Sequence, residues 1–271
     1  MLLKNKKCPN CGGYYDPTLK KCPDCYKDNE LYLNRQVSDK IIFLNPIAQI
    51  GLFLIGFAWI GMLLAEYFFA IFISLSSGSE VFKKTILLLL TYSSMLGGLL
   101  IVVLTTRRNE FFSKYKRGLD YIYGVVYAIT IIIASLMLGS LISIFHTPAD
   151  NNNQQAAVEI VKNYPIIAFF ILGFLGPICE ELTYRVGLYS FFRRINKYLA
   201  FGITMIVFAL IHFDFDAIGT SDIIEELWSL PSYLIAGLIL TIAYEHRGPA
   251  CSMTAHILYN IFAFAMMLVQ R

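Results

Sequence analysis

Residues 166–185 read IIAFFILGFLGPICEELTYR, in which fourteen apolar or small residues are followed at once by Glu180 and Glu181 and then by Arg185. A helix that crosses the hydrocarbon core of a bilayer needs about 20 mostly apolar residues, and this run is typical of one. An ionised carboxylate at that depth costs several kcal/mol, so such groups usually face a protein interior and mark function. The stretch therefore predicts a membrane helix that carries a buried polar site.

The rest of the chain has the composition of a membrane protein. Of 271 residues, 57% are hydrophobic and 15% are charged, and the mean hydropathy is +0.60, well away from the averages for soluble domains. We predict an all-α polytopic membrane protein with about seven transmembrane helices. Apolar windows of suitable length lie at roughly 47–75, 85–106, 119–145, 165–190, 198–213, 231–245 and 249–270.

The distribution of charge indicates an orientation. Basic residues cluster in the N-terminal segment and in residues 107–117 and 193–197, whereas the loops expected on the opposite side, around 149–159 and 214–226, are acidic or nearly uncharged. By the positive-inside rule, we expect a multi-pass protein of the cell membrane with a cytoplasmic N-terminus and an extracytoplasmic C-terminus. The opening MLLKNKKCPN lacks the apolar region of a cleavable signal. A net charge of +3 gives no reason to expect nucleic-acid binding.

Four of the six cysteines lie within the first 25 residues, in KCPNCGG and KCPDCYK. Two C-x-x-C knuckles can close a tetrahedral zinc site, while the alternatives are two disulfides or redox-active pairs. A cytoplasmic location is reducing and favours structural Zn²⁺. We predict a zinc ribbon at residues 1–28, a polar linker at 29–44 and a membrane domain at 45–271. The predicted ligands are Cys8, Cys11, Cys22 and Cys25.

Helical spacing assigns different surroundings to the two glutamates. Successive residues of an α-helix point about 100° apart, so Glu180 and Glu181 face in different directions. Glu181 precedes Arg185 by four residues, which allows these two charges to neutralise each other. Glu180 is then left to face a cavity.

Further polar residues occur in the later apolar segments, as FALIH at 208–212 and HILYN at 256–260. Counted from the expected helix ends, Glu180, His212, His256 and Asn260 fall at similar depths. Singly, each has an ordinary explanation as a hydrogen-bonded core residue. Together, a carboxylate, two imidazoles and a carboxamide suit either the activation of water and stabilisation of an oxyanion, or the binding of a catalytic metal ion.

The motifs E-E-x-x-x-R, F-x-x-x-H and H-x-x-x-N occur in this order on successive apolar segments, within residues 160–265. The set resembles the CAAX protease and bacteriocin-processing (CPBP, or ABI) family of intramembrane proteases. The resemblance implies a helical intramembrane endopeptidase acting on a membrane peptide or protein. In bacterial members the role is precursor processing or self-immunity to peptide antibiotics, and the composition of this chain looks bacterial.

The resemblance also implies roles for the motif residues. Glu180 and His212 would activate the hydrolytic water, His256 and Asn260 would form the oxyanion site, and Glu181 with Arg185 would support the structure. The family has been described both as glutamate-type and as metalloproteases, and we favour the glutamate mechanism. A ribbon of this kind usually recognises a protein partner or regulates. The alternative functions are a non-catalytic receptor or immunity scaffold and a proton-coupled transporter.

Overall fold

The computed structural model describes residues 6–16, 19, 21–27, 41, 43–60, 69, 71, 73–74, 77–147 and 150–269. Apart from a short hairpin near the N-terminus, the regular structure in these ranges is helical, so the predicted all-α class is confirmed. Most of the linker predicted at 29–44 and much of the predicted span 47–75 beyond residue 60 lie outside the described residues.

The N-terminal segment forms a hairpin followed by a second turn of the same design. Strand β1 (Lys6–Lys7) pairs antiparallel with β2 (Tyr14–Tyr15). In the first turn the N–H of Cys8 donates to Gly13 O and the N–H of Gly12 donates to Cys8 O, at 2.8 and 2.9 Å. Fourteen residues later, Cys22, Lys27 and Tyr26 repeat both bonds at 2.9 Å. The two C-x-x-C segments are therefore folded alike.

In the part of the chain that the structure describes, eight α-helices and a short 3-10 helix at Phe215–Ala217 follow, and the fifth α-helix contains two π-helical stretches. Five of the helices are long and apolar enough to cross a membrane, and two shorter apolar ones lie at Pro46–Phe57 and Lys197–Leu210. Each lies within or overlaps one of the seven predicted windows, so five of the windows contain a helix of membrane-spanning length and two, 47–75 and 198–213, contain a shorter described helix. The bounds are α1 Pro46–Ile60, α2 Glu80–Ser113, α3 Gly118–Ile142, α4 Asn152–Asn163, α5 Pro165–Arg193, α6 Lys197–Leu210, α7 Ile223–Arg247 and α8 Pro249–Val269.

Helix α4 corrects the sequence-based expectation of a loop at 149–159. Its hydropathy is too low for a membrane span, but its start is well defined because the Asn151 side chain accepts the Gln154 N–H at 2.9 Å. Its apolar side packs through Ile160 and Val161 against Phe264 near the end of α8. The segment is thus an amphipathic helix lying on the bundle.

The membrane helices approach closely where glycine faces a neighbouring helix. A Cβ built on Gly56 of α1 would overlap the Thr183 side chain of α5, and one built on Gly124 of α3 would lie 2.9 Å from Cys251 O of α8. Such small residues are typical of membrane interfaces, where packing rather than water exclusion drives helix association. They bring α1 against the polar half of α5 and α3 against α8.

The buried carboxylate of Glu226 holds three segments together at one end of the bundle. Its two oxygens accept the backbone N–H groups of Asn152, at 3.0 Å, and of Asp214, at 3.1 Å, and the residue has no exposed surface. Asn152 is the first residue of α4, whereas Asp214 lies two residues beyond His212. Glu226 therefore fixes the start of α4 and the turn after His212 to the first turn of α7.

Candidate active site

Helix α5 changes its winding at the acidic motif. It begins at Pro165, whose fixed φ and missing N–H suit a first helical position. Stretches Ile171–Leu175 and Glu181–Tyr189 are π-helical, and the α-helical segment between them ends at Glu180. Wide turns of this kind occur often at functional sites. Here the change of winding falls between the two adjacent glutamates.

Glu181 is the centre of a buried charge cluster. Its Oε1 lies 3.1 Å from Arg185 Nη1 and 3.0 Å from His256 Nδ1. The side chains of Glu181 and Arg185 are 1% and 0% exposed, so solvent cannot replace either partner. The spacing of the motif anticipated the contact with Arg185. No sequence signal announced the contact with His256, which is 75 residues away.

The guanidinium of Arg185 also contacts α6 and α7. Its Cζ lies 4.3 Å from the centroid of the Phe208 ring, and Nη2 donates to Gly237 O at 3.4 Å. A desolvated guanidinium over an aromatic face is stabilised by about 2 kcal/mol. The Phe208 ring therefore stabilises the buried Arg185 guanidinium. Its position in the F-x-x-x-H motif was the one feature of the sequence that pointed to it.

The His256 ring joins the two glutamates. Its Nδ1 faces Glu181, and its Nε2 lies 3.6 Å from Glu180 Oε2. Because the Glu181 carboxylate can only accept, Nδ1 carries a proton, and the neutral form of His256 then has its lone pair on Nε2. His256 can donate from Nε2 only when the ring is doubly protonated.

His212 lies in the turn after α6, within reach of the same space. Its Nδ1 donates to the Phe208 carbonyl at 2.8 Å, so its Nε2 is an acceptor in the neutral form. The ring stacks on Tyr233 of α7, with centroids 4.4 Å apart and planes 17° apart. The backbone bond and the stacked ring fix its orientation. Tyr233 was not anticipated from the sequence.

Asn260 is one helical turn beyond His256 on α8. Its Nδ2 donates to Leu172 O at 2.9 Å, where the first π-helical stretch of α5 leaves this carbonyl facing α8. An amide nitrogen has two hydrogens, so one further donor remains after this bond. The contact holds the carboxamide beside the cavity.

The four predicted catalytic residues line one cavity of about 520 Å³. Glu181 and Arg185 lie behind its wall, where Glu181 contacts His256. The remaining lining is mostly apolar and aromatic, which suits an apolar ligand oriented by a few polar groups. The catalytic candidates that share the cavity are Glu180, His212, His256 and Asn260.

The four N-terminal cysteines form a metal-ligand set. All are free thiols, and their sulfur atoms lie within 4.8 Å of one another. Two pairs, Cys8 with Cys25 and Cys11 with Cys22, are each 3.6 Å apart, far beyond the roughly 2.05 Å of a disulfide. Bonds of about 2.3 Å from a tetrahedral zinc place sulfur atoms about 3.8 Å apart. The geometry therefore fits a four-cysteine metal site.

Local hydrogen bonds favour the thiolate form in two of the four cysteines. The backbone N–H groups of Cys11 and Asn10 lower the pKa of Cys8 to about 6. The Asn10 side chain, followed by the Lys27 backbone, lowers the pKa of Cys25. In Cys11 the backbone bond from Gly13 lowers the pKa, but desolvation and the three neighbouring cysteines raise it to about 12. Metals bind thiolates rather than thiols, so these bonds prepare ligands in both knuckles.

Glu180, His212 and His256 are arranged differently from the cysteines. Among the described parts of the chain, the cysteines are the one group of three or more such residues with all ligand atoms within 4.8 Å. His256 already uses Nδ1 on Glu181, and His212 uses Nδ1 on a carbonyl. Each ring therefore presents only its Nε2 to the cavity.

Comparisons with known proteins locate the similarity on the same helices. Residues 162–262 match the family model described as type II CAAX prenyl endopeptidase Rce1-like. UPF0177 protein YvdC of Lactococcus lactis subsp. lactis (strain IL1403) is 30% identical over 138 residues, covering 51% of this chain and 49% of the relative. UPF0177 protein YxdF of the same strain is 34% identical over 106 residues, covering 38% and 52%.

The chain thus spans about half the length of these curated relatives. No solved structure matches it significantly. The matched segment begins in α4 and ends two residues after Asn260, so it contains all three motifs and the helices that bring them together. The resemblance drawn from the motifs is therefore confirmed: residues 162–262 are similar to the Rce1-like CAAX protease family.

Proposed function

We propose that the protein is an intramembrane endopeptidase that hydrolyses a peptide bond in a membrane-associated peptide or protein. The observation that carries the proposal is the meeting of Glu180, His212, His256 and Asn260 on one cavity, behind which Glu181 binds His256. Preorganised acceptors and donors around a largely apolar space are what the hydrolysis of an amide requires.

Charge balance in the cluster determines how many protons Glu180 and His256 share. Glu181 and Arg185 cancel, so the remaining pair, Glu180 and His256, is neutral only when it holds one proton in addition to that on Nδ1. That proton sits either on Glu180 or on His256 Nε2. Before reaction we place it on His256, which leaves Glu180 as an ionised base beside an imidazolium donor.

The reaction can then be written with all protons accounted for. Glu180 and the Nε2 acceptor of His212 hold a water, and Glu180 takes a proton as the water oxygen bonds to the scissile carbonyl carbon. The oxyanion that forms accepts hydrogen bonds from His256 Nε2–H and from the free amide hydrogen of Asn260. Glu180 returns the proton to the amine nitrogen as the C–N bond breaks.

This proposal uses no catalytic metal. In its support, the two histidines each retain one ring nitrogen facing the cavity, and the acceptor–donor scheme employs both of them. The metalloprotease alternative predicts a bound ion that disappears with His212 or His256. A comparison of the metal content of purified wild-type and His212→Ala protein therefore separates the two mechanisms.

The test of proteolysis compares membrane peptides in cells that make three variants. Glu180→Gln removes the base, His212→Ala removes its partner, and Glu159→Gln makes the same chemical change on the exposed surface of α4. We expect uncleaved membrane peptides to accumulate with the first two variants and not with the third. Identical peptide populations in all strains, with all proteins folded by size-exclusion chromatography, would refute the proposal.

The non-catalytic scaffold is the competing function. A scaffold needs the polar groups to hold helices together but has no use for a cavity of about 520 Å³ beside them. It predicts that Glu180→Gln lowers stability together with phenotype, whereas the protease predicts lost cleavage at unchanged stability. A transporter would instead show solute flux in reconstituted vesicles.

For the N-terminal site we propose one structural Zn²⁺, bound by the four cysteine thiolates. About 20 residues cannot form a hydrophobic core, so metal binding would fold the hairpin and its companion turn. We expect one zinc per chain in protein purified under reducing conditions. The Cys8→Ser, Cys11→Ser double variant should lose it while Cys179→Ser keeps it; a metal-free wild type would contradict the proposal. We also propose that this ribbon binds a protein partner.

A further inference from the structure

The segments that link consecutive helices lie in two groups, and the contacts within each group define one end of the bundle. At one end, Arg193 at the end of α5 binds Glu245 near the end of α7 at 2.9 Å. Arg247 of the same helix lies 3.8 Å from Asp120 at the start of α3. We call this the basic end.

At the opposite end, the connections around α4 meet the start of α7. Glu226 binds the first N–H of α4, and His146, beyond the end of α3, lies 2.9 Å from Glu225. Asn151 donates to Ser229 at 3.0 Å. We call this the acidic end.

The two ends differ strongly in charge. Ranges 107–120, 193–197 and 245–247 at the basic end contain nine Lys or Arg and three Asp or Glu. Ranges 80–84, 150–162 and 214–226 at the acidic end contain three Lys or Arg and eight Asp or Glu. The excess of Lys and Arg in short loops marks the cytoplasmic side, so the acidic end faces outward.

The cavity lies in the acidic half of the bundle. Its wall includes residues from the beginnings of α2 and α7 and from the ends of α3 and α8, such as Leu88, Trp228, Ile142 and Met267. Within the part of the chain that the structure describes, 93–134, 181–207 and 241–255 contribute no lining residue. The cavity therefore runs from Glu180 toward the acidic end and not toward the basic one.

The mouth of the cavity is exposed at that end. Asn153 and Gln154, on the first turn of α4, line it and are exposed, and Trp228, which also lines it, is 37% exposed. Glu225 adds a carboxylate to this rim. The inner wall is mainly apolar and aromatic. A ligand would thus meet an acidic, amide-lined rim before it reaches an apolar interior.

From this placement we infer that the site is entered from the extracytoplasmic face, past α4. Resting on the proposed protease function, the inference assigns the substrate to one class: an apolar peptide segment presented at the outer face of the membrane, with uncharged or basic flanking residues. Acidic flanks are disfavoured by the net negative charge of the acidic end, whereas basic ones are attracted. Segments reachable only from the cytoplasm are excluded from this class.

The access side is tested by thiol labelling of the full-length protein in intact cells. Ser232→Cys places a thiol on the cavity wall, Gln154→Cys places one on the rim, and exposed Lys116→Cys marks the basic end. With a small membrane-impermeant thiosulfonate reagent, we expect the first two to react to the same extent in intact and permeabilised cells. Lys116→Cys should react only after permeabilisation, and wild type supplies the background.

Reaction of Lys116→Cys in intact cells, or protection of Ser232→Cys until permeabilisation, would overturn the inference. The labelling does not depend on proteolysis, so it can succeed while the Glu180→Gln comparison fails, and the reverse. A final arm adds a bulky impermeant maleimide to intact cells. Uncleaved membrane peptides should then accumulate in cells that make Gln154→Cys and not in cells that make Lys116→Cys. Equal accumulation in both would overturn the inference that substrates enter past α4.

Discussion

Replacing Arg185 by methionine would leave the Glu181 carboxylate buried, with only the His256 ring as a cationic neighbour. Removing one partner of a buried ion pair costs about 3–5 kcal/mol, because the other charge stays desolvated. The guanidinium also stacks on Phe208, which is worth about 2 kcal/mol, and the methionine chain recovers part of that packing. We expect the free energy of unfolding to fall by about 3–5 kcal/mol.

The double variant Glu181→Gln, Arg185→Met distinguishes a charge effect from lost packing. It removes both charges and keeps an amide oxygen for His256 Nδ1, so its loss should be about 2–3 kcal/mol smaller than the sum of the single losses. Unfolding by sodium dodecyl sulfate in mixed micelles, followed by tryptophan fluorescence, gives all three free energies. Additivity of the two single losses within about 0.5 kcal/mol would refute the ion pair as the reason for the burial of Arg185.

Three further changes test the packing, the end of the bundle and the N-terminal site. Gly56→Ala should lower the free energy of unfolding by about 1–3 kcal/mol, whereas Gly51→Ala, whose Cβ would meet nothing within 4 Å, should leave it unchanged. Glu226→Ala should cost about 1.5–3 kcal/mol for each lost backbone bond and speed hydrogen exchange in residues 211–217; unchanged exchange would contradict its proposed fastening of this turn. Tyr26 has φ +55°, in the left-handed region, so Tyr26→Gly should stabilise the metal-bound ribbon by about 1–2 kcal/mol, and a lower resistance to chelation would show that reasoning to be wrong.

Composition, cysteine spacing and motif order predicted the helical class, the cysteine cluster and the similarity to the Rce1-like family. Hydropathy located the membrane segments because residues that lie in hydrocarbon instead of water must be apolar. The predicted end of the second segment, at residue 106, coincides with a break in α2 at Arg107, which has φ −151° and ψ 48°. Hydropathy missed the start of α7 at Ile223, because the first turns of that helix carry Glu225 and Glu226. Those carboxylates are tolerated there since His146 and two backbone N–H groups bind them.

The long-range contacts of the site could not be predicted. Spacing on one helix relates Glu181 to Arg185, but the contact of Glu181 with His256 depends on how α5 and α8 pack. The same holds for the stacking of Tyr233 on His212, which joins α7 to the turn after α6. A single sequence records neither the tilt nor the rotation of these helices.

The winding of α5 has a consequence for how such sites are recognised. Glu180 closes an α-helical segment and Glu181 opens a π-helical one, in which each hydrogen bond spans five residues instead of four. The directions in which these neighbours point are therefore set by the place where the helix widens. A related chain could keep every letter of E-E-x-x-x-R, widen one turn earlier or later, and no longer aim its glutamates at a common histidine. The position at which the helix changes from α-helical to π-helical hydrogen bonding therefore defines the site as much as its side chains do.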